Sequence, residues 1–97
     1  MGVNIIVTFK AKEGMVEGLQ NQLISGVKNH TANFDGYIDA KVYRDSENPN
    51  HIVILERWES AQNYKDYIGS YSEEDMNAMM RALEGPPEQK ILEISLN

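Results

Sequence analysis

The chain has 97 residues, with 15 acidic and 9 basic side chains and no cysteine, so its formal net charge at pH 7 is −6. This composition predicts one domain over 1–97, excludes disulfides and thiolate metal sites, and argues against a nucleic-acid partner because no basic stripe is present. No apolar run is long enough for a membrane span and no leader pattern opens the chain, so we expect no membrane partner and a cytoplasmic location.

The first half of the chain alternates between strand and helix patterns. Apolar residues at every second position predict a strand over 3–11, and apolar residues three and four apart predict a helix over 15–32. A loop over 33–36 leads to a second alternating strand over 37–45. The segment 46–50, which contains Asn and Pro, then predicts a hairpin turn.

The second half adds one strand, two helical segments and a last strand. The third strand covers 51–59, and Ser60 is a natural N-cap for a helix over 61–69. Three acidic residues open a helix over 73–84, where they suit the positive end of the helix dipole. Residues 89–96 predict the fourth strand.

The order β-α-β-β-α-(α)-β is that of the ferredoxin-like, split βαβ fold, an α+β architecture with a four-stranded antiparallel sheet and helices on one face. In the third strand Val53 and Leu55 lie on one face and Ile52 and Ile54 on the other, so both faces are apolar. Helices cover only one of them. We therefore expect a homodimer in which a second copy covers the other face.

Sequence motifs for metals and cofactors are absent. The chain has no glycine-rich nucleotide fingerprint and no HExxH zinc motif. Its two histidines, His30 and His51, have no third ligand at local spacing. We therefore expect neither a metal nor a cofactor.

Four stretches of the sequence form a recognisable set, namely VTFKAKEG at 7–14, FDGYIDAKVYRD at 34–45, VILERWESAQNY at 53–64 and GPP at 85–87. Together they resemble the antibiotic biosynthesis monooxygenase family. The most specific part is ERWES at 56–60 followed by Tyr64. The resemblance implies a dimeric α/β barrel. Some members of the family oxidise aromatic polyketides or quinols with O₂ and without metal or flavin, whereas others cleave haem or isomerise small metabolites.

The resemblance also implies candidate site residues. The pocket Trp of the polyketide oxygenases matches Trp58, their Tyr matches Tyr64, and the pocket Arg of their late helix is matched to Arg81. Their Asn falls at Ile54, so that polar partner is absent here.

The differences from other members narrow the expected activity. The haem-cleaving members have Asn, Trp and His at the positions of Val7, Tyr67 and Asn77, so haem cleavage is not expected. Many quinol-type members have a His in place of Tyr67 and another at about Ser72, and both are absent from this chain.

Glu56 lies two residues before Trp58, on the strand face that is expected to lie under the helices. A buried carboxyl must be paired or protonated. We expect Trp58 and Tyr64 to contact the ligand and Glu56 to support them through Arg81 or a tyrosine hydroxyl. The alternative role for Glu56 is to accept a proton from the substrate. The other residues expected to bind substrate are Tyr67, Arg81, Met76, Met80, Val7 and Ile54. The methionines also suit simple core packing.

Two functions from different classes fit these residues. One is a cofactor-independent monooxygenase that oxidises a small aromatic such as a quinol, phenol or anthrone, favoured by Trp58 with Tyr64. The other is a non-catalytic small-molecule-binding or stress-response module of the same fold, favoured by Ile54. Polar groups that converge on a cavity under the helices would favour the enzyme, and a filled apolar interior would favour the module.

Overall fold

The computed structural model describes residues 2–96, which form one four-stranded antiparallel sheet with three α-helices and a short 3₁₀ turn. The strands are β1 (Val3–Lys10), β2 (Tyr37–Arg44), β3 (His51–Trp58) and β4 (Glu88–Glu93). The helices are α1 (Val16–Asn29), α2 (Ala61–Gly69) and α3 (Glu73–Met80), with the 3₁₀ turn at Thr31–Asn33 after α1. The strand order is β2-β3-β1-β4. This is the predicted ferredoxin-like arrangement, and the prediction of the fold class is confirmed.

The first helix is shorter than the predicted 15–32. It ends at Asn29, and the chain leaves the helical path at His30, where φ is −125° and ψ is −61°. The departure turns Thr31 inward, where it is 1% exposed and its hydroxyl lies 3.4 Å from the carbonyl oxygen of Gly26. A buried polar group that finds its partner in the preceding turn therefore ends the helix.

The other boundary differences come from strand pairing. The helix predicted over 73–84 ends at Met80, because the chain after it pairs with the end of β1. The amide of Lys12 donates to the carbonyl of Ala82 at 2.8 Å, and the amide of Glu84 donates to the carbonyl of Lys10 at 2.9 Å. The predicted strand 89–96 runs over Glu88–Glu93 instead, since its partner strand begins at Val3, opposite Glu93.

Two helices, α2 and α3, begin at the residues that the sequence predicts. The hydroxyl of Ser60 accepts the amide of Asn63 at 3.1 Å, which confirms Ser60 as the N-cap of α2. The hydroxyl of Ser72 accepts the amide of Asp75 at 3.0 Å and caps α3, whose first turn is acidic. None of the helices within residues 2–96 is long and apolar enough to cross a bilayer.

The two faces of the sheet differ in cover. The side chains of β1 and β3 that point toward the helices are buried, and they are Val3, Ile5, Val7, Phe9, Ile52, Ile54, Glu56 and Trp58. The opposite face is open to solvent, and Tyr43, Leu55 and Leu92 remain exposed on it. The core therefore lies between the sheet and the helices, and the candidate site must be sought there or on the open face.

Gly36, at the turn into β2, packs closely against a side chain of α2. Its φ is +87°, and a Cβ at this position would overlap the side chain of Asn63. Gly14 also has a positive φ, +81°, but a Cβ there would meet nothing within 4 Å. We expect Gly14→Ala to cost about 1 kcal/mol of unfolding free energy through backbone strain alone. Gly36→Ala adds the steric overlap, and we expect a cost of about 2–4 kcal/mol. Urea denaturation of both variants measures the difference, and equal losses would contradict the overlap.

Candidate functional site

A cavity of about 630 Å³ lies on the helix side of the sheet, within the size range of ordinary ligand pockets. Its floor is the sheet, with Val7 and Phe9 from β1 and Ile54 and Glu56 from β3. Its walls come from the three helices and are mostly apolar. The wall residues include Leu23, Gly26 and Val27 of α1, Tyr64, Tyr67 and Ile68 of α2, and Met76 and Met79 of α3. The interior is therefore not a filled core.

The carboxyl of Glu56 is the charged group on the floor of this cavity. Glu56 lies opposite Ile5 of β1 and Ala40 of β2, so it occupies the middle of the sheet. It is 5% exposed, and its Oε1 accepts the indole Nε1–H of Trp58 at 2.7 Å. Side chains two apart on a strand point to the same face, which brings the two groups together. The sequence predicted Arg81 or a tyrosine hydroxyl as the partner of Glu56, and the structure corrects this to the indole.

Burial raises the pKa of Glu56 above its ordinary value of 4.5, and the hydrogen bond from Trp58 opposes the rise in part. The indole donor is neutral, so it cannot replace the hydration that a carboxylate loses on burial. Glu56 is consequently a stronger base than a surface glutamate. A carboxyl of raised pKa in a cavity is a common feature of general acid–base sites.

Trp58 lies behind the cavity instead of lining it. The side chain is fully buried, and its ring packs at centroid distances of 5.0–6.3 Å against Phe34, Tyr37, Tyr64 and Tyr67. The expectation that Trp58 contacts the ligand does not fit this position. Its observed contacts make it a support for Glu56 and for the tyrosine wall.

Three tyrosines spaced along and just after α2 line the same wall. The hydroxyl of Tyr67 lies 2.7 Å from that of Thr31 and 2.5 Å from that of Tyr71, and either atom can be the donor in both contacts. The hydroxyl of Tyr64 donates to Oε1 of Gln89 on β4 at 2.5 Å. Burial is the main cause that raises the pKa of Tyr64 and of Tyr67 well above the ordinary value of 10. Both therefore remain neutral O–H groups in the physiological range.

Another group at the cavity, beside the tyrosine wall, is an imidazole. Nε2 of His30 lies 3.2 Å from the hydroxyl of Ser70, and this contact joins the end of α1 to the end of α2. The His30 ring packs against Tyr71 at 5.0 Å and Tyr67 at 5.7 Å between centroids. Among residues 2–96, no group of three or more His, Asp and Glu side chains is placed to hold a metal ion.

The candidate residues divide into two groups by position. Those that line the cavity are Glu56, Tyr64, Tyr67, Val7, Ile54 and Met76. Those that do not line it are Trp58, Met80 and Arg81. Arg81 is exposed because α3 stops at Met80, one residue before it, and the chain then turns toward β1.

Sequence reasoning missed several polar residues of the cavity. They are Thr31, Ser70, Asp75 and Gln89, together with His30, for which the sequence analysis considered only a metal-ligating role and did not expect it. Thr31 and Gln89 lie 36 and 25 positions from the tyrosines that they contact. No local spacing signals such a pair.

A family model described as antibiotic biosynthesis monooxygenase matches residues 2–86. No curated protein sequence matches the chain significantly. Many solved structures share its fold.

Three of these structures illustrate the likeness. A conserved protein from Methanosarcina mazei Go1 is 24% identical over 94% of this chain and 90% of that chain, with a TM-score of 0.81. A Mycobacterium tuberculosis protein is 19% identical over 100% and 98% of the two chains, with a TM-score of 0.81. A Streptomyces coelicolor monooxygenase in complex with nanaomycin D is 24% identical over 99% and 89%, with a TM-score of 0.80.

At these identities the solved structures establish the fold, and the family is established by the match over 2–86. The resemblance of the sequence, the split βαβ sheet and the cavity under its helices agree with that match. This chain belongs to the antibiotic biosynthesis monooxygenase family.

Proposed function

We propose that the protein is a monooxygenase that oxidises a small electron-rich aromatic, such as a phenol, quinol or anthrone, with O₂ and without a resident metal or flavin. The observation that carries the proposal is the cavity itself, where the buried carboxyl of Glu56 and the tyrosine hydroxyls line a mostly apolar space. Membership of the family supplies the class of reaction. Polar groups that converge in an apolar pocket are the usual mark of a site for chemistry.

The first step of the proposed reaction is a proton transfer. Oε1 of Glu56 is engaged by Trp58, and Oε2 has no hydrogen-bond partner among the described residues, so Oε2 is the acceptor for the substrate hydroxyl proton. The hydroxyl of Tyr71, at the end of the chain of hydroxyls from Thr31 through Tyr67, then donates a hydrogen bond to the substrate anion. Preorganised donors in a mostly apolar cavity act strongly because the local dielectric is low.

The electrons for the reaction come from the substrate. The anion gives one electron to O₂, and the resulting superoxide and substrate radical combine to form a C–O bond. The peroxide anion takes back the proton that Glu56 holds. Cleavage of the O–O bond together with the ring C–H bond then forms the carbonyl and releases water. For a hydroxyarene with a ring C–H the balance is one substrate plus one O₂ giving one quinone plus one water, with one oxygen atom in each product.

We also infer that the working form is a homodimer joined through the open face of the sheet. The exposed side chains Tyr43, Leu55 and Leu92 share that face with the ion pair of Arg57 and Asp39, whose N–O distances are 2.5–3.0 Å. A groove of about 450 Å³ runs across it. Exposed apolar patches of this kind on a small sheet commonly form interfaces.

The non-catalytic binding module remains the second candidate. Ile54 lines the floor where a polar partner would assist chemistry, and the hydroxyls of Tyr64 and Tyr67 already have partners within the chain. In this alternative the same cavity binds an aromatic molecule without turning it over.

Gly26 and Gly18 provide a matched test of the cavity. Both lie on α1 and a Cβ at either would meet nothing within 4 Å, but only Gly26 lines the cavity. We expect Gly26→Leu to lower kcat/KM for anthrone oxidation by about 10-fold or more, because the new side chain occupies substrate space. Gly18→Leu should leave it unchanged. Both variants gain helix propensity of about 0.8 kcal/mol, so the fold is retained.

The assay is oxygen consumption with anthrone under ¹⁸O₂, with mass analysis of product and water. We expect protein-dependent turnover above the autoxidation rate and one labelled atom in each product. Absence of protein-dependent turnover, together with anthrone binding that Gly26→Leu abolishes, would replace the monooxygenase by the binding module.

A further inference from the structure

The charges around the cavity are all of one sign. Among residues 2–96, the carboxylic acids that line it are Glu56 and Asp75, and no Lys or Arg side chain lines it. Among the same residues, His30 is the one side chain with a basic nitrogen that lines the cavity. The chain as a whole carries a formal charge of −6. An anionic ligand would therefore enter a cavity without a permanent cation.

Three basic side chains are paired with acidic residues that do not line the cavity. Arg57 binds Asp39 on the open face of the sheet, opposite the cavity. Arg44 binds Glu17 at 3.1 Å and Gln20 at 2.8 Å. Lys10 contacts Glu88 at 3.4 Å, on the open face as well. Arg81, which the sequence suggested as a pocket cation, is exposed and does not line the cavity.

A carboxylate and a hydroxyl on the ligand differ in the free energy of transfer from water into this cavity. A carboxylate loses its hydration on entry and gains no cation in return, and it is repelled by the acids already present. A hydroxyl is neutral, and it finds acceptors in Glu56 and in the oxygen of Tyr71. When its proton passes to Glu56, the net charge of the cavity does not change. A carboxylate on the ligand would remain charged throughout.

We propose that the cavity selects uncharged hydroxyaromatic ligands and rejects analogues of the same shape that carry a carboxylate, with Asp75 as one determinant of the rejection. The inference rests on the proposed function, because it specifies the substrate class of the same cavity. Specificity of this kind arises from an unfavourable contact with the wrong ligand as much as from a good contact with the right one.

The test compares 2-naphthol with 6-hydroxy-2-naphthoate by titration calorimetry on the intact protein at pH 7. We expect 2-naphthol to bind at least about 10-fold more tightly. Two like charges a few ångströms apart at an effective dielectric of about 20 repel each other with an energy that corresponds to more than a tenfold loss of affinity. Equal affinities, tighter binding of the acid, or failure of 2-naphthol to bind would each overturn the proposal.

Asp75 and Glu74 provide the matched variants. Both lie in the first turn of α3, and Asp75 lines the cavity whereas Glu74 does not. Asp75→Asn should lower the ratio of the two dissociation constants, 6-hydroxy-2-naphthoate over 2-naphthol, by about 3-fold or more. Glu74→Gln removes the same charge from the same turn and should leave this ratio unchanged. The cap of α3 is kept in both, because Ser72 accepts the backbone amide of residue 75. Equal narrowing by the two variants would assign the preference to net charge alone and overturn the role of Asp75.

The outcomes separate this inference from the proposed function. Preferential binding of 2-naphthol without protein-dependent oxidation of any aromatic substrate would overturn the monooxygenase and leave the selectivity intact. Equally fast oxidation of neutral and carboxylated substrates would overturn the selectivity and leave the monooxygenase intact.

Discussion

Glu56→Gln is expected to lower kcat for aromatic oxidation by about 10²-fold or more while the chain stays folded. In the wild-type chain the indole Nε1 of Trp58 lies 2.7 Å from Oε1 of Glu56. Gln keeps the shape of the side chain, and its amide oxygen can accept the same indole N–H. What is lost is the ability to accept the substrate proton. Steady-state oxidation of anthrone measures kcat, and circular dichroism verifies the fold. Retention of most of the activity would show that Glu56 only supports the wall.

The stability of the same variant gives an independent check. The pKa of Glu56 is raised in the folded state, so the folded chain holds this proton more tightly than the unfolded chain does. The stabilisation from the protonated form is fully present below the unfolded pKa and is lost as pH rises through the folded pKa. Ionised Glu56 therefore destabilises the fold at pH 7. We expect Glu56→Gln to raise Tm at pH 7 and to lose that advantage below pH 4.5.

Trp58→Phe serves as the companion variant in both measurements. It removes the one hydrogen bond that lowers the pKa of Glu56 and keeps an aromatic ring at a fully buried position. The acid limb of the kcat/KM profile, where activity falls as Glu56 gains its proton, should move to higher pH. If Trp58 itself contacted the substrate, the variant would change KM without moving the limb.

Leu55→Asp is expected to convert the proposed homodimer into a monomer, with a dissociation constant raised by about 10²-fold or more. Leu55 is 39% exposed on the open face, between Ile6 of β1 and Lys41 of β2. Each copy would bring one carboxylate into the proposed interface, where the loss of hydration is costly even beside a lysine. The single chain tolerates the change, because the position is exposed there and Lys41 is a cross-strand neighbour. Sedimentation at micromolar concentration measures the dimer fraction.

Met15→Asp is the matched control for the dimer. Met15 is also an exposed apolar residue, at 44%, but it stands at the N-cap of α1 instead of on the sheet face. Asp is a favourable N-cap residue, so the variant should keep both fold and dimer. A wild-type chain that is monomeric at micromolar concentration, or a Leu55→Asp chain that dimerises normally, would contradict the proposed interface.

The fold was predictable because its signals are local. Alternation in β1 and β3, the helical spacing of α1 and the cap at Ser60 each depend on a few adjacent residues, and they specify the element order. The ends of the helices were less predictable. Met80 ends α3 because the following residues pair with the chain beyond β1, and that contact joins segments about 70 positions apart.

The candidate site was predictable only in part, for the same physical reason. The shared face of Glu56 and Trp58 follows from strand geometry, but which of the two meets the cavity depends on the rings of Phe34 and Tyr37, which pack around Trp58 from another part of the chain. The position of Arg81 depended on where α3 ends. Long-range packing therefore decided the roles that spacing left open.

The row of hydroxyls formed by Thr31, Tyr67 and Tyr71 has a consequence for the energetic cost of the proposed reaction. Its oxygen–oxygen distances of 2.7 and 2.5 Å suit hydrogen bonds in either direction. With the protons pointing toward Thr31, Tyr71 offers a lone pair to an incoming phenol. With all of them rotated the other way, Tyr71 offers a proton to the phenolate. Rotation of hydroxyl hydrogens alone thus reverses the polarity of the wall, so the site follows the change in substrate charge without displacing a single heavy atom.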